Sequence, residues 1–221
     1  MKTKRKTYTA YFMELLVVVL GITIAFTLDN YASNSKLDRE EKLYKEALIS
    51  DLEKDIASLD SARESSKKVI ALTGELFNFM YTDAPIERYT RAHVTSTYTT
   101  PYFYSNNGTY QSLINSGDLK VLSSFELRQE LVTLYNVHYA EVSRADEFIK
   151  DLVTVQVYPY ILSEIAFHPI EDRIIDSSPL KTNQAVNLLG SFYNLMSARN
   201  IEYGELIEDC KRVKKIIEDT L

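Results

Sequence analysis

The chain has 221 residues, with 25 basic and 31 acidic side chains, a formal net charge of −6 and one cysteine. That acidic balance argues against a nucleic-acid binder and against flat docking onto anionic lipid, and a lone Cys210 cannot form an internal disulfide. Six glycines and five prolines in the whole length point to long elements with few tight turns.

The chain opens with Lys2, Lys4, Arg5 and Lys6, followed by an almost unbroken apolar run from Ala10 to Leu28. At 1.5 Å per residue this run covers roughly 28 Å, close to the ~30 Å hydrocarbon core of a bilayer. A cleaved signal peptide would have a shorter apolar core and a small-residue exit. Here the exit reads Thr27-Leu28-Asp29-Asn30-Tyr31-Ala32-Ser33, with Asn30 badly placed for cleavage after Ala32. A retained transmembrane anchor over residues 10–31 is therefore expected. Tyr11 and Tyr31 suit the two interfaces beside Lys4, Arg5 and Lys6. Basic residues before the span and no acidic ones keep residues 1–9 cytoplasmic, so residues 32–221 are expected outside the cytoplasm.

Glu14 lies inside this run, where a carboxylate is costly and is read as functional by default. Snorkelling toward the headgroups and the basic cluster is its simplest fate. At 100° per residue, Gly21 and Ala25 fall within about 20° of its direction, a small-xxx-small step that admits a second helix. Glu14, Gly21 and Ala25 are thus expected to form a face for a partner helix or for a second copy.

Without residues 1–28, 21 basic and 30 acidic residues remain, a net charge of −9. From Lys36 to Met80 the pattern is helical: Ile49, Leu52, Ile56 and Leu59 keep a 3–4 spacing, a polar middle holds Arg63 and Ser66, and Ile70, Phe77 and Met80 resume it. Two arrangements stay open, a helix continuous with the anchor and one separated from it by the cap and break that Asn34-Ser35 offers. An irregular, aromatic-rich stretch follows at about 81–108. Pro85 is expected to open a short helix through about His93, and Pro101 favours an edge or extended loop over a central strand. Tyr98, Tyr102, Phe103, Tyr104 and Tyr110 form the best-suited contact surface, because amphipathic rings are enriched at interfaces. The alternative is that they cover the protein's own core.

A short helix from about Thr109 to Asn115 is expected to end at Gly117. Ser123-x-x-Glu126 reads as a capping box opening a long helix, with Phe125, Leu127, Leu131, Leu134, Tyr135, Val142, Phe148, Ile149 and Leu152 on its buried side and an end or kink at Pro159. A polar crossing, about Pro169 to Thr182, leads to a last helix from Asn183 to about Asp219. Its stripe holds Val186, Leu189, Phe192, Tyr193, Met196, Tyr203, Leu206, Cys210, Val213 and Ile217. The fold class expected is all-α: an N-terminal transmembrane helix, then an antiparallel bundle of three long helices carrying the irregular loop.

Two segments resemble an uncharacterised family of single-span membrane proteins from Bacteroidota. One is Glu14 to Ala25 followed by Asp29-Asn30-Tyr31; the other is Tyr110-x-x-Leu113-x-x-x-Gly117-x-Leu119 with Leu127-Arg128-x-x-Leu131-x-x-Leu134-Tyr135. Tyr31 stands where that family often has Trp. The resemblance implies an inner-membrane anchor with a periplasmic helical domain and supplies no reaction.

No catalytic constellation stands above background. His93, His138 and His168 are far apart, and no phosphate loop, HExxH or G-x-S-x-G is present. His138-x-x-Glu141 puts two ligand types one turn apart, too few for a metal, so neither metal nor cofactor is expected. Arg128 is suited to pair with Asp118 or with an acidic ligand, and structural pairing is the commoner case. The leading expectation is a non-enzymatic, membrane-anchored interaction or accessory module, partnered by the bilayer and by a protein or a second copy, with no nucleic acid. A periplasmic small-molecule sensor bundle acting through a partner is the alternative. An enzyme would need titratable groups that only folding brings together.

Overall fold

The computed structural model describes residues 8–221, with side chains from Tyr11 onward. Lys4, Arg5 and Lys6, expected at one membrane interface, lie outside the described residues. The described chain is all-helical, without a strand; one isolated bridge joins Phe167 and Ile174. Helix α1 (Tyr8–Tyr81) is followed by a 3₁₀ turn at Ile86–Arg88, α2 (Arg91–Thr95) and α3 (Gly108–Ser116). A 3₁₀ turn at Asp118–Val121 leads to α4 (Phe125–Thr133), α5 (Tyr139–Leu152) and α6 (Tyr158–Glu164). These three are joined by π turns at Leu134–His138 and Val153–Val157. A last 3₁₀ turn, Ser178–Lys181, precedes α7 (Asn183–Glu218).

Helix α1 passes through Asn34-Ser35 without interruption. Its buried stripe is Leu48, Leu52, Asp55, Leu59, Ala62, Ser66, Val69, Thr73 and Leu76, with Ile49 and Ile56 only half buried. The stripe keeps its 3–4 spacing because Asp55, Ser66 and Thr73 take the places of apolar residues. Helix α7 runs along α1 in the opposite sense. Lys45 Nζ donates to the Thr220 carbonyl at 2.8 Å, Lys214 meets Glu53 at 2.7 Å, the Phe77 and Tyr193 rings meet edge-on at 6.0 Å, and Lys181 pairs with Asp83. The α4–α6 run follows the sense of α1: Ser123 lies at Glu41 and Tyr139 at Asp55, while Val69 and Val153 share one core cluster.

Several local expectations change. The single helix expected after Pro85 is two pieces split at Tyr89-Thr90. Tyr89 is fully buried, its carbonyl accepts from Ile174 N, and Thr90 with His93 forms the cap of α2. Gly117 does cap α3, at φ +75°. The α4 N-cap is Ser124, whose Oγ accepts from Leu127 N at 3.1 Å, and not Ser123; Ser123 donates N–H and Oγ–H to Glu41 instead. Phe125 and Phe148 are exposed: Phe125 lies under the Arg128 guanidinium at the helix start, and the neighbouring Ile149 takes the buried position beside Phe148. Arg128 donates to the Leu122 and Ser123 carbonyls, while Asp118 accepts from Tyr44. Pro159 does not end the run. The π turn before it bonds Tyr158 N to the Val153 carbonyl, five residues back, and this wider turn makes room for the proline ring next to the carbonyls it would otherwise crowd.

Candidate functional site

Two parts of the molecule carry more than packing: the uncovered start of α1, and a set of buried polar groups where the helices meet.

Every residue from 11 to 39 is exposed, in a helix whose later turns are core. This is the one helix among the described residues long and apolar enough to cross a membrane. The two threonines of its apolar run turn their hydroxyls inward: Thr23 Oγ1 donates to the Val19 carbonyl and Thr27 Oγ1 to the Thr23 carbonyl, both at 2.8 Å. Neither threonine hydroxyl then needs water, as hydrocarbon requires. Glu14, Gly21 and Ala25 are all exposed, and a methyl group built on Gly21 would meet nothing within 4 Å. Tyr11 and Tyr31 are exposed at the two ends of the segment.

Deeper in the chain, Arg199 of α7 is 0% exposed. Its Nη1 donates to Asp146 Oδ1 at 2.7 Å, its Nη2 donates to Ser66 Oγ at 3.2 Å, and the rings of Tyr102 and Tyr203 lie 5.7 and 5.1 Å from its carbon. Tyr203 OH completes the site by donating to both Asp146 oxygens. Burial pushes the Tyr203 phenol up, so it stays a donor. About three helical turns closer to the anchor, Asp55 is also 0% exposed. It accepts from Tyr139 OH at 2.5 Å and from Asn106 N and Nδ2 at 2.7 Å each. Cys210 Sγ sits 3.3 Å from the same Tyr139 hydroxyl, and burial pushes its thiol up to about 12, which keeps it protonated and unreactive. Tyr110, Tyr135 and Tyr139 stack at 4.3 and 4.8 Å between centroids.

Three carboxylates of α1 hold the stretch from Asn106 to Ser123 in place, each taking a backbone N–H and a side chain of the same residue. Asp55 takes Asn106, Asp51 takes Thr109 and Glu41 takes Ser123. The five aromatic residues expected as a contact surface separate accordingly. Phe103 and Tyr110 are buried, Tyr98 and Tyr102 are half buried, and Tyr104 stands out at 79% exposure. Tyr98 packs edge-on against Tyr158.

His138 and Glu141 lie with Arg144, Glu202, Glu205 and Asp209 along an open groove between α5 and α7 that holds none of the loop tyrosines. His138 Nδ1 meets Asp209 Oδ2 at 2.6 Å. Burial, with Glu205 and Glu141 nearby, raises the Glu202 carboxyl. No group of three or more potential ligands among the described residues is arranged to hold a metal ion.

Asp55, Asp146 and Arg199 escaped the sequence reading because a charge on an apolar stripe looks like a gap in it. The signal was their phase: Met196, Arg199, Tyr203, Leu206, Cys210, Val213 and Ile217 keep an unbroken 3–4 spacing, as do Leu52, Asp55 and Leu59 on α1.

No curated protein and no solved structure matches this chain. A family model matches residues 14–157, from the uncovered face of α1 to the second π turn. The chain belongs to that family, a family of unknown function (DUF6090).

Proposed function

We propose that the protein is a membrane-anchored, non-enzymatic interaction or accessory module. In this reading α1 crosses the bacterial inner membrane once, its N-terminus is cytoplasmic, and an antiparallel bundle of three long helices (α1, the α4–α6 run and α7) stands in the periplasm. The observation that carries the proposal is the contrast along one unbroken helix. Residues 11–39 are all exposed, whereas the same helix from Lys45 on supplies the core. An apolar helical face of that length, left bare, needs hydrocarbon or another helix. The face of Glu14, Gly21 and Ala25 is the proposed seat for a partner helix, and Tyr104 is the part of the aromatic loop free to touch a partner. The buried carboxylates that folding assembles are paired, Asp146 with Arg199 and Tyr203 and Asp55 with Tyr139 and Asn106, which favours a structural use over catalysis.

The test is to extract C-terminally tagged protein gently from native membranes, beside Glu14→Gln, and to determine its mass and stoichiometric companions. A defined companion, or a second copy, that is lost in Glu14→Gln is the expected result. An unchanged monomer in both samples contradicts the transmembrane contact. The groove between α5 and α7, of about 960 Å³ with His138 and Glu141 at its edge, favours a second reading, a small-molecule sensor bundle. That reading predicts a ligand-induced rise in Tm which Glu141→Gln removes.

A further inference from the structure

On other faces of the bundle, carboxylates are answered by cations: Glu53, Glu130 and Glu208 pair with Lys214, Arg212 and Lys211. The open groove between α5 and α7 differs. Glu141, Glu147, Asp151, Glu202 and Glu205 line it, and among the described residues none of the five forms an ion pair. Asp209, at the end nearer the anchor, is matched by His138 and Arg212, which leaves Arg144 as the one basic side chain of the groove without a carboxylate partner. Burial, and then the repulsion of Glu205 and Glu141, raise the Glu202 carboxyl, one oxygen of which is buried without a hydrogen-bond partner. Like charge gathered in this way costs the folded chain stability until a cation arrives. Phe148, 64% exposed, lies in the same groove, where Val142 and Leu206 are buried.

The shape of the groove narrows the kind of cation. Along α5 it runs from His138 to Asp151, roughly 20 Å at 1.5 Å per residue. Small-molecule sites enclose most of their ligand, and an open trough of this length leaves a small cation largely in water. An elongated occupant meets the charges one after another and covers the phenyl ring. We propose that the α5–α7 groove is the docking site for a basic amphipathic helix of a partner protein, its apolar stripe covering Phe148 and its flanking Lys and Arg side chains meeting Glu141, Glu147, Asp151, Glu202 and Glu205. The inference rests on the interaction-module reading above and adds the chemistry of the partner. Residues three, four and seven apart share one face of a helix, so such a segment aligns its charges with both walls at once. The long stems of Lys and Arg pack on apolar surface while their heads reach the carboxylates. Charge complementarity of this kind sets the rate and the specificity of docking.

The test uses the full chain in phosphatidylcholine nanodiscs, whose neutral lipid does not itself collect a basic peptide. The probe is a labelled peptide of about 18 residues, five helical turns, with a leucine stripe flanked by lysines, beside a scrambled peptide of the same composition; fluorescence anisotropy reads binding. The amphipathic peptide should bind at least about 10-fold more tightly than the scrambled one. Glu141→Gln with Glu205→Gln should weaken it about 10-fold, whereas Asp38→Asn with Glu87→Gln, which removes the same charge at exposed positions outside the groove, should change it less than about 2-fold. Phe148→Ser, which leaves the charge unchanged, should weaken it several-fold. Equal binding of the two peptides, or equal effects of the two double variants, overturns the proposal by showing attraction to net charge alone. Spermidine that displaces the peptide at equal molar concentration also overturns it and makes the groove a small-cation site. A peptide that fails to bind, while a companion is still recovered from native membranes, overturns the groove and leaves the interaction module standing. A specific peptide complex with no companion in native membranes keeps the groove and refutes the module.

Discussion

Arg199 is the residue on which the interior turns. A guanidinium without solvent is tolerable only because Asp146, Ser66 and two aromatic faces surround it. Removing one charge of such a pair leaves the other buried and uncompensated, so Asp146→Ala should destabilise the protein by about 3–5 kcal/mol. Replacing both by apolar residues, Arg199→Met with Asp146→Leu, should recover most of that loss. Urea unfolding of the three variants checks the order. Glu41 behaves differently, because it lies nearer the surface. Burial raises its carboxyl, but Lys45 and the two Ser123 donors outweigh this and hold it below the usual 4.5. A carboxylate lowered in the folded state stabilises above its unfolded value and loses that contribution as pH falls. Glu41→Gln should therefore cost about 1 kcal/mol at pH 7, and its difference from the wild type should fade as pH falls below 4.5, seen in Tm against pH.

At the scale of elements, α1 is two materials in one helix. Residues 30–39 cover nothing, so Ser35→Pro should break the helix yet shift the Tm of the domain by less than about 2 °C, whereas Leu52→Ala in the covered part should cost about 2–5 kcal/mol. Ser124→Ala should cost about 1 kcal/mol through the lost cap of α4. Differential scanning fluorimetry on the three variants is enough to rank them. These elements were unevenly legible in the sequence. The apolar run, the Gly117 cap and the Asn183 start of α7 could be read because local chemistry decides them. The α4 cap was misplaced by one residue because Glu41, more than eighty residues earlier in the chain, competes for Ser123. The passage through Pro159 was hidden because π turns carry no composition signal, and the exposure of Phe148 was hidden for a related reason: a residue's facing depends on helical phase, which each π turn shifts.

For the whole molecule, the interior is closed by pairs that span the chain from Lys45 to Thr220, and by carboxylates that tie Asn106 and Thr109 to the same helix that bears the bare apolar face. Nothing in the sequence names the companion of that face, because recognition by small residues specifies closeness without chemistry. What the molecule makes testable is where it stands. The decisive measurement compares the full chain with a version lacking residues 1–29, each tagged at the C-terminus, for retention in membranes after carbonate washing and for tag accessibility to protease in spheroplasts and in lysed cells. The full chain should stay in the membrane with its tag cleaved in intact spheroplasts, and the shortened chain should be released. A full chain that washes free, or a tag protected until lysis, would contradict a periplasmic domain on a single N-terminal anchor.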